Sequence, residues 1–444
     1  MEKTYVAKGG PTLDLSDGEL DEIFSEALSK AITDQNESGP VIILPPDITR
    51  FHSRAGYLTG IAARVLSDRL GAVLPALGTH MAMTAAEISR MFPDVPAVKF
   101  LVHDWRNDVV TLGRIEEAWL EKATEGKIRY DWPVQVNKLL LEGGFPMAIS
   151  LGQVVPHEVI GMANHTKNIF VGIGGKEAID KSHFMGASYG MERMMGRIDT
   201  PVRALFDEGL RRFGNRLPPV LFALTVVGPR SDSEAAKVGK PRESLAVRGL
   251  YVGFGRECFT NAATLAQQVN VDILDEPIRK AVVYLEPEEF RTTWLGNKAV
   301  YRTRMAMADG GELLILAPGL ERFGEDMGVD KLIRKFGYRP SKVILEELKK
   351  EKEIAENLSV AAHLIHGSSE ERFAVHYCPG PRVSRAEIES VGYEWGSLDE
   401  VTVRYDVKKL SMGWNTMPDG ERIFFVPNPA LGLWAERRRF YGNA

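Results

Sequence analysis

The chain has 444 residues, 44% of them hydrophobic and 26% charged, which is typical of globular proteins and excludes disordered and fibrous classes. Its length predicts two domains of ordinary size. A formal net charge of -5, from 55 basic and 60 acidic side chains, provides no broad basic field, so nucleic acid is not an expected partner.

Two cysteines, Cys258 and Cys378, are too few for a disulfide framework and fit a reducing compartment. The chain starts without a signal-peptide pattern, and no apolar stretch reaches the ~18 to 20 residues that span a bilayer. We therefore expect a cytoplasmic protein without membrane contact.

The first half of the chain alternates predicted helices and strands. "LSDGELDEIFSEALSKAIT" is typical of an amphipathic helix capped by Ser16 or Asp17. The apolar start of "VIILPPDITR", the helix-like "AGYLTGIAARVLSDRLG" and the run "AVLPALGTH" follow as strand, helix and strand. Further strands are expected in "VKFLVHD", "VQVNKLLLEGG" and "PMAISLGQVV".

The alternation of strand and helix signals is interrupted near "GKPRES" and again near "QVNVDILDEP". It resumes in "KAVVYLEP", "ELLILAPG" and "SKVILEELKKEKEIAENLSVAAHLI". We place a domain boundary at about residue 270. The prediction is an α/β protein of two domains, 1–270 and 271–444, with parallel-rich sheets and an active-site cleft between the domains.

Polar residues gather where predicted strands end. Six of the nine histidines fall within the first 183 residues, and "PHEVIGMANHTKNIF" places His157, His165 and Lys167 in one short segment. Histidine titrates near neutral pH and is the commonest metal ligand, so the cluster indicates acid-base chemistry, metal binding or both. Arg50 offers a fork for a carboxylate. No HExxH motif or compact zinc triad is present.

Several motifs together resemble the nickel-dependent lactate racemase family. They are, in the family's order, "PPDITR", "GTHMAMT", "VHDWRND", "PHEVIGMANHTK", a later His183, "WLGNKA" and "MADGGELLILAPG". Lys167 follows His157 by ten residues and His183 follows Lys167 by sixteen, as in the family. The resemblance spans most of the chain and implies a racemase or epimerase of 2-hydroxy acids, which is an isomerase.

The resemblance implies a nickel-pincer nucleotide, derived from nicotinic acid and joined to Lys167 as a thioamide, with His183 as a protein ligand of Ni²⁺. Asp47 and Thr49 are expected to contact this cofactor, and cofactor-synthesis proteins are expected partners. Two sulfurs, a carbon and one imidazole suit the square-planar geometry of Ni²⁺. The domain 1–270 would bind the cofactor and carry the catalytic groups.

By the same resemblance, His80 and His157 are the alternating general base and acid on the two sides of the substrate. Arg50 would hold the substrate carboxylate, and Lys298, in the domain 271–444, would help to orient the substrate or stabilise the carbonyl that is formed. Hydride leaves C2 for the pyridinium cofactor, and its return to either face of a planar 2-keto acid interconverts the epimers.

The chain departs from the lactate racemase pattern near these positions. "ANHT" replaces Gly-Gly-Arg before Lys167, and Met81 replaces the arginine after His80. Polar or stacking side chains surround the expected site, and a polyhydroxylated substrate would use such donors. We therefore predict a sugar acid, of the gluconate and mannonate type, rather than lactate. The residues expected to contact it are His52, Arg54, Trp105, Arg106 and Trp294.

Alternatives stay open for the substrate and for the class of protein. A second carboxylate, as in malate or 2-hydroxyglutarate, would explain the arginines equally well, and a lactate-like acid is a further substrate. A zinc-dependent lyase or hydrolase would use the histidines to activate water. A non-catalytic binder of sugar acids would need only the cleft. The oligomeric state is not predicted.

Overall fold

The computed structural model describes residues 3–230 and 245–442, so the "GKPRES" segment at 239–244 lies outside the described residues. The chain forms two compact units. The first comprises residues 1–182 and 195–270, and the second comprises residues 183–194 and 271–444. Each unit is α/β with a parallel-rich sheet, which confirms the predicted fold class. The cleft between the domains stays a prediction.

The first unit is built on a six-stranded sheet. Its order is β1-β10-β9-β6-β2-β3, in which β9, β6, β2 and β3 run parallel and β10 and β1 extend the sheet in antiparallel fashion. Two antiparallel strand pairs, β4 with β5 and β7 with β8, stand apart from it. The strands are β1 Thr4–Gly9, β2 Val41–Leu44, β3 Leu70–Val73, β4 Val109–Ile115, β5 Trp132–Asn137, β6 Met147–Gln153, β7 Pro156–His157, β8 Gly161–Met162, β9 Val220–Pro229 and β10 Leu245–Gly253.

Burial on both faces explains why the parallel strands are apolar throughout. All four residues of β2 are buried, as expected for an inner strand of a sheet that is covered on both faces. One face packs against α1 and α2, and the other faces α9 and the loops after β6. The helices of this unit are α1 Asp17–Gln35, α2 Ala55–Leu66, α3 Ala85–Met91, α4 Glu117–Ala123, α5 Leu139–Glu142, α6 Lys176–Tyr189, which continues into the second unit, α8 Pro201–Phe213 and α9 Arg256–Asn270.

Helix α1 begins where the sequence predicts. Ser16 is the N-cap, and its side chain accepts a hydrogen bond from the Glu19 backbone while the Glu19 carboxylate accepts one from the Ser16 backbone. Leu20, Phe24 and Leu28 are buried against the sheet.

One predicted strand is wrong. "VKFLVHD" forms a single turn of 3-10 helix at Ala97–Lys99 and an extended loop, linked to β3 by one bridge between Val73 and Phe100. Its apolar residues Val98 and Val102 are 86% and 61% exposed. An apolar run without a buried face cannot extend the sheet, and apolarity alone does not report burial.

The second unit is also α/β. Its main sheet has the order β15-β14-β13-β12-β17-β16, parallel except for the edge strand β16, and β11 pairs with β18 in a separate parallel ladder. The strands are β11 Val271–Leu274, β12 Ile278–Tyr284, β13 Met307–Ala317, β14 Ala374–Pro379, β15 Glu394–Trp395, β16 Gly413–Thr416, β17 Arg422–Val426 and β18 Leu433–Glu436. The helices are α7 Met191–Met194, α10 Thr293–Gly296, α11 Lys298–Thr303, α12 Met327–Phe336, α13 Ser341–Lys350, α14 Lys352–Ala355, α15 Leu358–Gly367, α16 Arg385–Ser390, α17 Leu398–Arg404 and α18 Arg437–Tyr441.

Residues 183–194 group with the second unit through charged contacts. Glu192 lies 2.9 Å from Arg372 and 3.6 Å from the largely buried Arg304. Ala187 joins the apolar core of this unit. Among the described residues, no helix of either unit is long and apolar enough to cross a membrane.

Close packing of α2 against α3 requires a residue without a side chain at Gly56. A Cβ at this position would lie 2.0 Å from the carbonyl oxygen of Met91, whereas a Cβ at Gly18 in α1 meets nothing within 4 Å. Gly56→Ala is expected to lower the free energy of unfolding by about 1 to 3 kcal/mol. Gly18→Ala is expected to raise it by about 0.5 to 1 kcal/mol. Urea unfolding of both variants checks this, and equal effects would contradict the packing.

Candidate active site

Three adjacent parallel strands of the first unit bring the site residues to one edge of the sheet. Strand β2 lies between β3 and β6, and the carboxyl ends of these strands lead to Asp47, His80 and His157 respectively. Ligands bind at this edge in open parallel sheets, because the loops that follow the strands converge there. The topology therefore gathers residues that are up to 110 positions apart (157 - 47).

Asp47 is the most buried charged group of this edge, with 4% of its surface exposed. Its Oδ1 accepts hydrogen bonds from the Thr49 backbone, at 3.1 Å, and from the Thr49 hydroxyl, at 2.5 Å. Its Oδ2 lies 2.5 Å from Nδ1 of His80. Asp47 is also the N-cap of the 3-10 turn Ile48–Ser53, so one carboxylate shapes the turn and holds a histidine of the next strand.

The charge of Asp47 decides where the proton of His80 lies. Burial by itself raises the pKa of Asp47, but the hydrogen bond and charge of His80, the Thr49 bonds and the charge of Arg50 outweigh burial, and the net pKa is below its ordinary value. An ionised carboxylate only accepts hydrogen bonds, so His80 donates from Nδ1. When neutral, His80 then presents the lone pair of Nε2, and nearly half of its side chain is exposed. It is arranged as a general base.

Lys167 is tied to the same edge through its neighbour Asn168. The Asn168 amide donates to the Leu44 carbonyl at the end of β2, at 3.1 Å, and to the Ser150 hydroxyl in β6, at 2.8 Å. The turn Asn168–Gly172 is bonded in addition to the loop after β3, because Gly78 donates to the Gly172 carbonyl. The backbone beside Lys167 is therefore held by hydrogen bonds to β2, to β6 and to the loop that follows β3.

The amine of Lys167 is held in an unfavourable environment for its charge. Burial, followed by the positive charge of Arg50, lowers its pKa to about 8, although the carboxylates of Glu158 and Asp47 act in the opposite direction. Within the described residues the ammonium makes no hydrogen bond or ion pair. A large fraction of the amine is neutral near pH 8, and a neutral amine is the nucleophilic form.

His157 is held in the opposite sense to His80. It is 5% exposed, and its Nδ1 accepts a hydrogen bond from the Val159 backbone at 3.1 Å. A neutral His157 in this arrangement carries its proton on Nε2 and is a donor. The Glu158 carboxylate lies 3.7 Å from the same Nδ1. The sequence singled out His157, whereas nothing in the pattern indicated Glu158.

Arg50 is partly buried and non-helical within its turn, with φ -111° and ψ 29°. Its positive charge lowers the pKa of both Lys167 and Asp47. His52 is exposed, as a substrate contact requires, and its ring stands edge-on to that of Phe51. Arg54, by contrast, forms an ion pair with Asp17 at the start of α1.

Trp105 and Arg106 stack on one another, with the guanidinium 3.7 Å from the ring centre, in the loop before β4. His103 is buried and bonded to the Gly174 carbonyl and the Asn137 amide, and burial lowers its pKa. Its role is structural, because both ring nitrogens are occupied by the protein.

In the second unit, Trp294 and Lys298 lie four residues apart on consecutive short helices, and both are partly exposed. The Trp294 ring packs on His363 with centroids 4.3 Å apart, and His363 bonds the Tyr338 hydroxyl at 2.9 Å. Lys298 lies 5.7 Å from the Phe290 ring centre. His183, also in this unit, is partly exposed in α6.

Among the residues the structure describes, no three histidine, cysteine, aspartate or glutamate side chains are placed to hold a metal ion together. A zinc hydrolase needs about three such ligands. A nickel site with a single protein ligand does not require three such side chains close together.

Residues 18–194 match the lactate racemase N-terminal domain family. This match agrees with the resemblance seen in the motifs of the first unit and confirms the predicted family over residues 18–194. No curated protein matches the chain.

Two solved structures share the fold. A protein from Thermotoga maritima is 23% identical with a TM-score of 0.78, over 97% of this chain and 100% of that one. The lactate racemase apoprotein from Thermoanaerobacterium thermosaccharolyticum is 15% identical with a TM-score of 0.68, over 93% of each chain.

The buried carboxylate predicts a pH-dependent contribution to stability. Because the pKa of Asp47 is lower in the folded than in the unfolded chain, its charge stabilises the fold above about pH 4, and this is lost as pH falls through the folded pKa. Asp47→Asn should lower the free energy of unfolding at pH 7 and differ less from the wild type at pH 3. The exposed Asp68→Asn is the control. A difference equal at both pH values would contradict the assignment.

Lys167 predicts the reverse dependence. Its folded pKa of about 8 lies below the ordinary value, so the protonated amine destabilises the fold at pH 7, and this cost declines as pH rises from 8 towards 10.5. In urea unfolding, Lys167→Met should raise the free energy of unfolding at pH 7 by roughly 1 to 3 kcal/mol, and by about half as much at pH 9.5. Lys176→Met, a surface control paired with Asp180, should change it little. A destabilised Lys167→Met protein at pH 7 would overturn this.

Proposed function

Starting from a lactate racemase N-terminal domain over residues 18–194, we propose that this protein is a racemase or epimerase of a 2-hydroxy acid. The observation that carries the proposal is the Asp47 and His80 pair, with 2.5 Å between Oδ2 and Nδ1, at the sheet edge that also holds Arg50 and the amine of Lys167. A base, a carboxylate clamp and a nucleophilic amine are the groups that this chemistry requires from the protein.

The protein's part of the reaction is to bind the acid and move the hydroxyl proton. Arg50 offers two parallel donors to the substrate carboxylate, and its fork fixes the orientation of the group. Nε2 of His80 accepts the proton of the C2 hydroxyl as hydride leaves C2, which gives a planar 2-keto acid. The proton stays on His80, whose Nδ1–H remains bonded to the Asp47 carboxylate.

His157 begins as a hydrogen-bond donor in this scheme. Its Nε2–H can donate a hydrogen bond to the carbonyl oxygen formed at C2, and returning a proton to that oxygen requires the imidazolium form of His157. For His157 to act as the base towards the other epimer, Nδ1 must exchange its bond from the Val159 backbone for one to Glu158, 3.7 Å away. The two histidines are therefore unequal in the substrate-free protein.

The residues present fit a nickel-pincer nucleotide. Lys167 offers a partly buried amine without a hydrogen-bond partner among the described residues and with a pKa of about 8, as an attachment point requires. Asp47 and Thr49 line the same edge, and His183 would supply the imidazole ligand of Ni²⁺. When bound, this group supplies the acceptor for the C2 hydride, which no side chain of the protein can replace.

We propose a sugar acid as the substrate, and fewer side chains support it than the sequence predicted. His52 is exposed beside the Arg50 turn, and stacking on the Trp105 ring leaves the N–H groups of the exposed Arg106 in place, whereas Arg54 is engaged by Asp17. Fewer donors are thus free for a polyhydroxylated chain. Malate, 2-hydroxyglutarate and lactate are the alternative substrates, and the turnover assay described below compares them with gluconate.

The remaining alternatives make different demands on the site. A zinc lyase or hydrolase lacks a three-residue ligand group among the described residues. A sugar-acid binder has no use for a base at His80 or for a low-pKa amine at Lys167. Both alternatives leave Lys167 unmodified, which separates them from the proposal.

The test is an intact mass of the protein, co-expressed with cofactor-synthesis proteins in nickel-supplemented cells, followed by peptide mapping of residues 156–183. We expect an adduct on Lys167, and none in Lys167→Ala. An unmodified Lys167 in cells that modify a lactate racemase would overturn the proposal.

The same preparations test the roles of the histidines. His80→Ala and His157→Ala should retain the adduct and lose about 10² to 10⁴ in turnover, as expected for the loss of one acid-base group. Chiral chromatography follows the conversion of gluconate, malate, 2-hydroxyglutarate and lactate labelled with deuterium at C2. Deuterium retained in the product supports hydride transfer, whereas its loss to water would indicate simple deprotonation.

A further inference from the structure

The segment that leads into Lys167 has an unusual backbone. Asn164 and His165 both have positive φ, 69° and 58°, and neither is glycine. Side-chain-bearing residues rarely adopt this region, and two in succession persist only where the surroundings hold them. The chain here has no glycine beside Lys167, so tertiary contacts must supply the support.

Arg203 supplies that support from the first turn of α8. Its side chain is almost fully buried, at 1% exposure, and forms no ion pair within residues 3–230 and 245–442. One guanidinium nitrogen donates to the carbonyls of Met162, at 2.6 Å, and Asn164, at 3.2 Å, and the other donates to Asn164, at 3.1 Å, and to the Thr166 hydroxyl, at 2.8 Å. All of its partners lie in the five residues before Lys167.

The charge of Arg203 is compensated one step away. The Thr166 hydroxyl accepts from Arg203 and donates to Asp207 Oδ1 at 2.9 Å, and the other oxygen of Asp207 pairs with Arg256. Thr166 is fully buried, so its orientation is set by this network. The residue next to Lys167 is thereby held from both sides.

Aromatic contacts complete the support. The His165 ring lies 4.1 Å from that of Phe222 and 5.3 Å from that of Phe259, between centroids. The Arg203 guanidinium stands 4.0 Å over the same Phe259 ring. His165, a candidate for chemistry on its residue type, is part of the apolar support, and burial holds its pKa well below the ordinary value.

We propose that Arg203 is a positioning residue for Lys167, which holds the amine in its partly buried place and so prepares it to carry the cofactor. The second half of this statement rests on the proposed function, whereas the first concerns only the protein. Arg203 lies outside residues 18–194, and its planar fork reaches three separate acceptors, which a lysine could not do.

The test measures the pH dependence of the amine itself. Full-length protein made without the cofactor-synthesis proteins is labelled with a limiting amine-acylating reagent from pH 6 to 11, and modification of Lys167 is followed by peptide mass spectrometry. The wild type should show a midpoint near 8. In Arg203→Met the amine gains access to water and loses the repulsion of the Arg203 charge, so the midpoint should move towards 10 and labelling at pH 8 should fall about tenfold or more.

Matched variants separate positioning from general loss of structure. Arg211→Met removes an exposed arginine of the same helix and should leave the midpoint unchanged. Thr166→Val removes only the hydroxyl between Arg203 and Asp207 and should shift the midpoint in the same direction by a smaller amount. If Arg203→Met does not fold, the Thr166→Val midpoint decides. An unchanged midpoint in the deciding variant overturns the proposal.

Cofactor loading then separates this inference from the proposed function. In cells that make the cofactor, Arg203→Met or Thr166→Val should carry at least fivefold less adduct on Lys167 than the wild type. If the wild type carries no adduct on Lys167, the proposed function is wrong. The labelling midpoints then still test whether Arg203 positions the amine of Lys167. A variant with a shifted midpoint and full loading would overturn the link to the cofactor.

Discussion

The buried carboxylate of Asp47 is the interaction on which the candidate site depends. It stands where β2 ends, begins the turn that carries Arg50, and bonds His80 from the end of β3. A buried ionised group is tolerated only when its oxygens are occupied, and here Thr49 and His80 occupy them. The same bonds that offset the burial of the charge also orient the imidazole, so fold stability and proton transfer rest on one pair.

Lys167 shows the opposite balance, because its surroundings disfavour the charge that lysine usually carries. Burial and Arg50 act against the ammonium, and Glu158 and Asp47 compensate only in part. Such an arrangement lowers the stability of the fold but favours the neutral, nucleophilic form of the amine, as is common at functional sites. The Arg203 network maintains it, since a lysine on a loose loop would turn its amine to water.

Much of the fold was readable from local patterns. The capping box at Ser16 and the apolar run of β2 are local signals, and each element formed where predicted. "VKFLVHD" failed because apolar residues can also line an exposed loop, where Val98 and Val102 now lie. The segment "SKVILEELKKEKEIAENLSVAAHLI", in which helix signals were expected, forms three helices, α13 to α15.

By itself the sequence determined the α/β class, the motifs of a lactate racemase domain, and the identity of the residues that this chemistry needs. Those properties reside in residue types and short spacings. Only the tertiary structure decided which groups face one another: that His80 donates to Asp47, that Arg54 is engaged by Asp17, and that Arg203 supports the loop of Lys167. The physical reason is that hydrogen bonds and desolvation depend on distance in space, and strands or helices tens of residues apart set that distance.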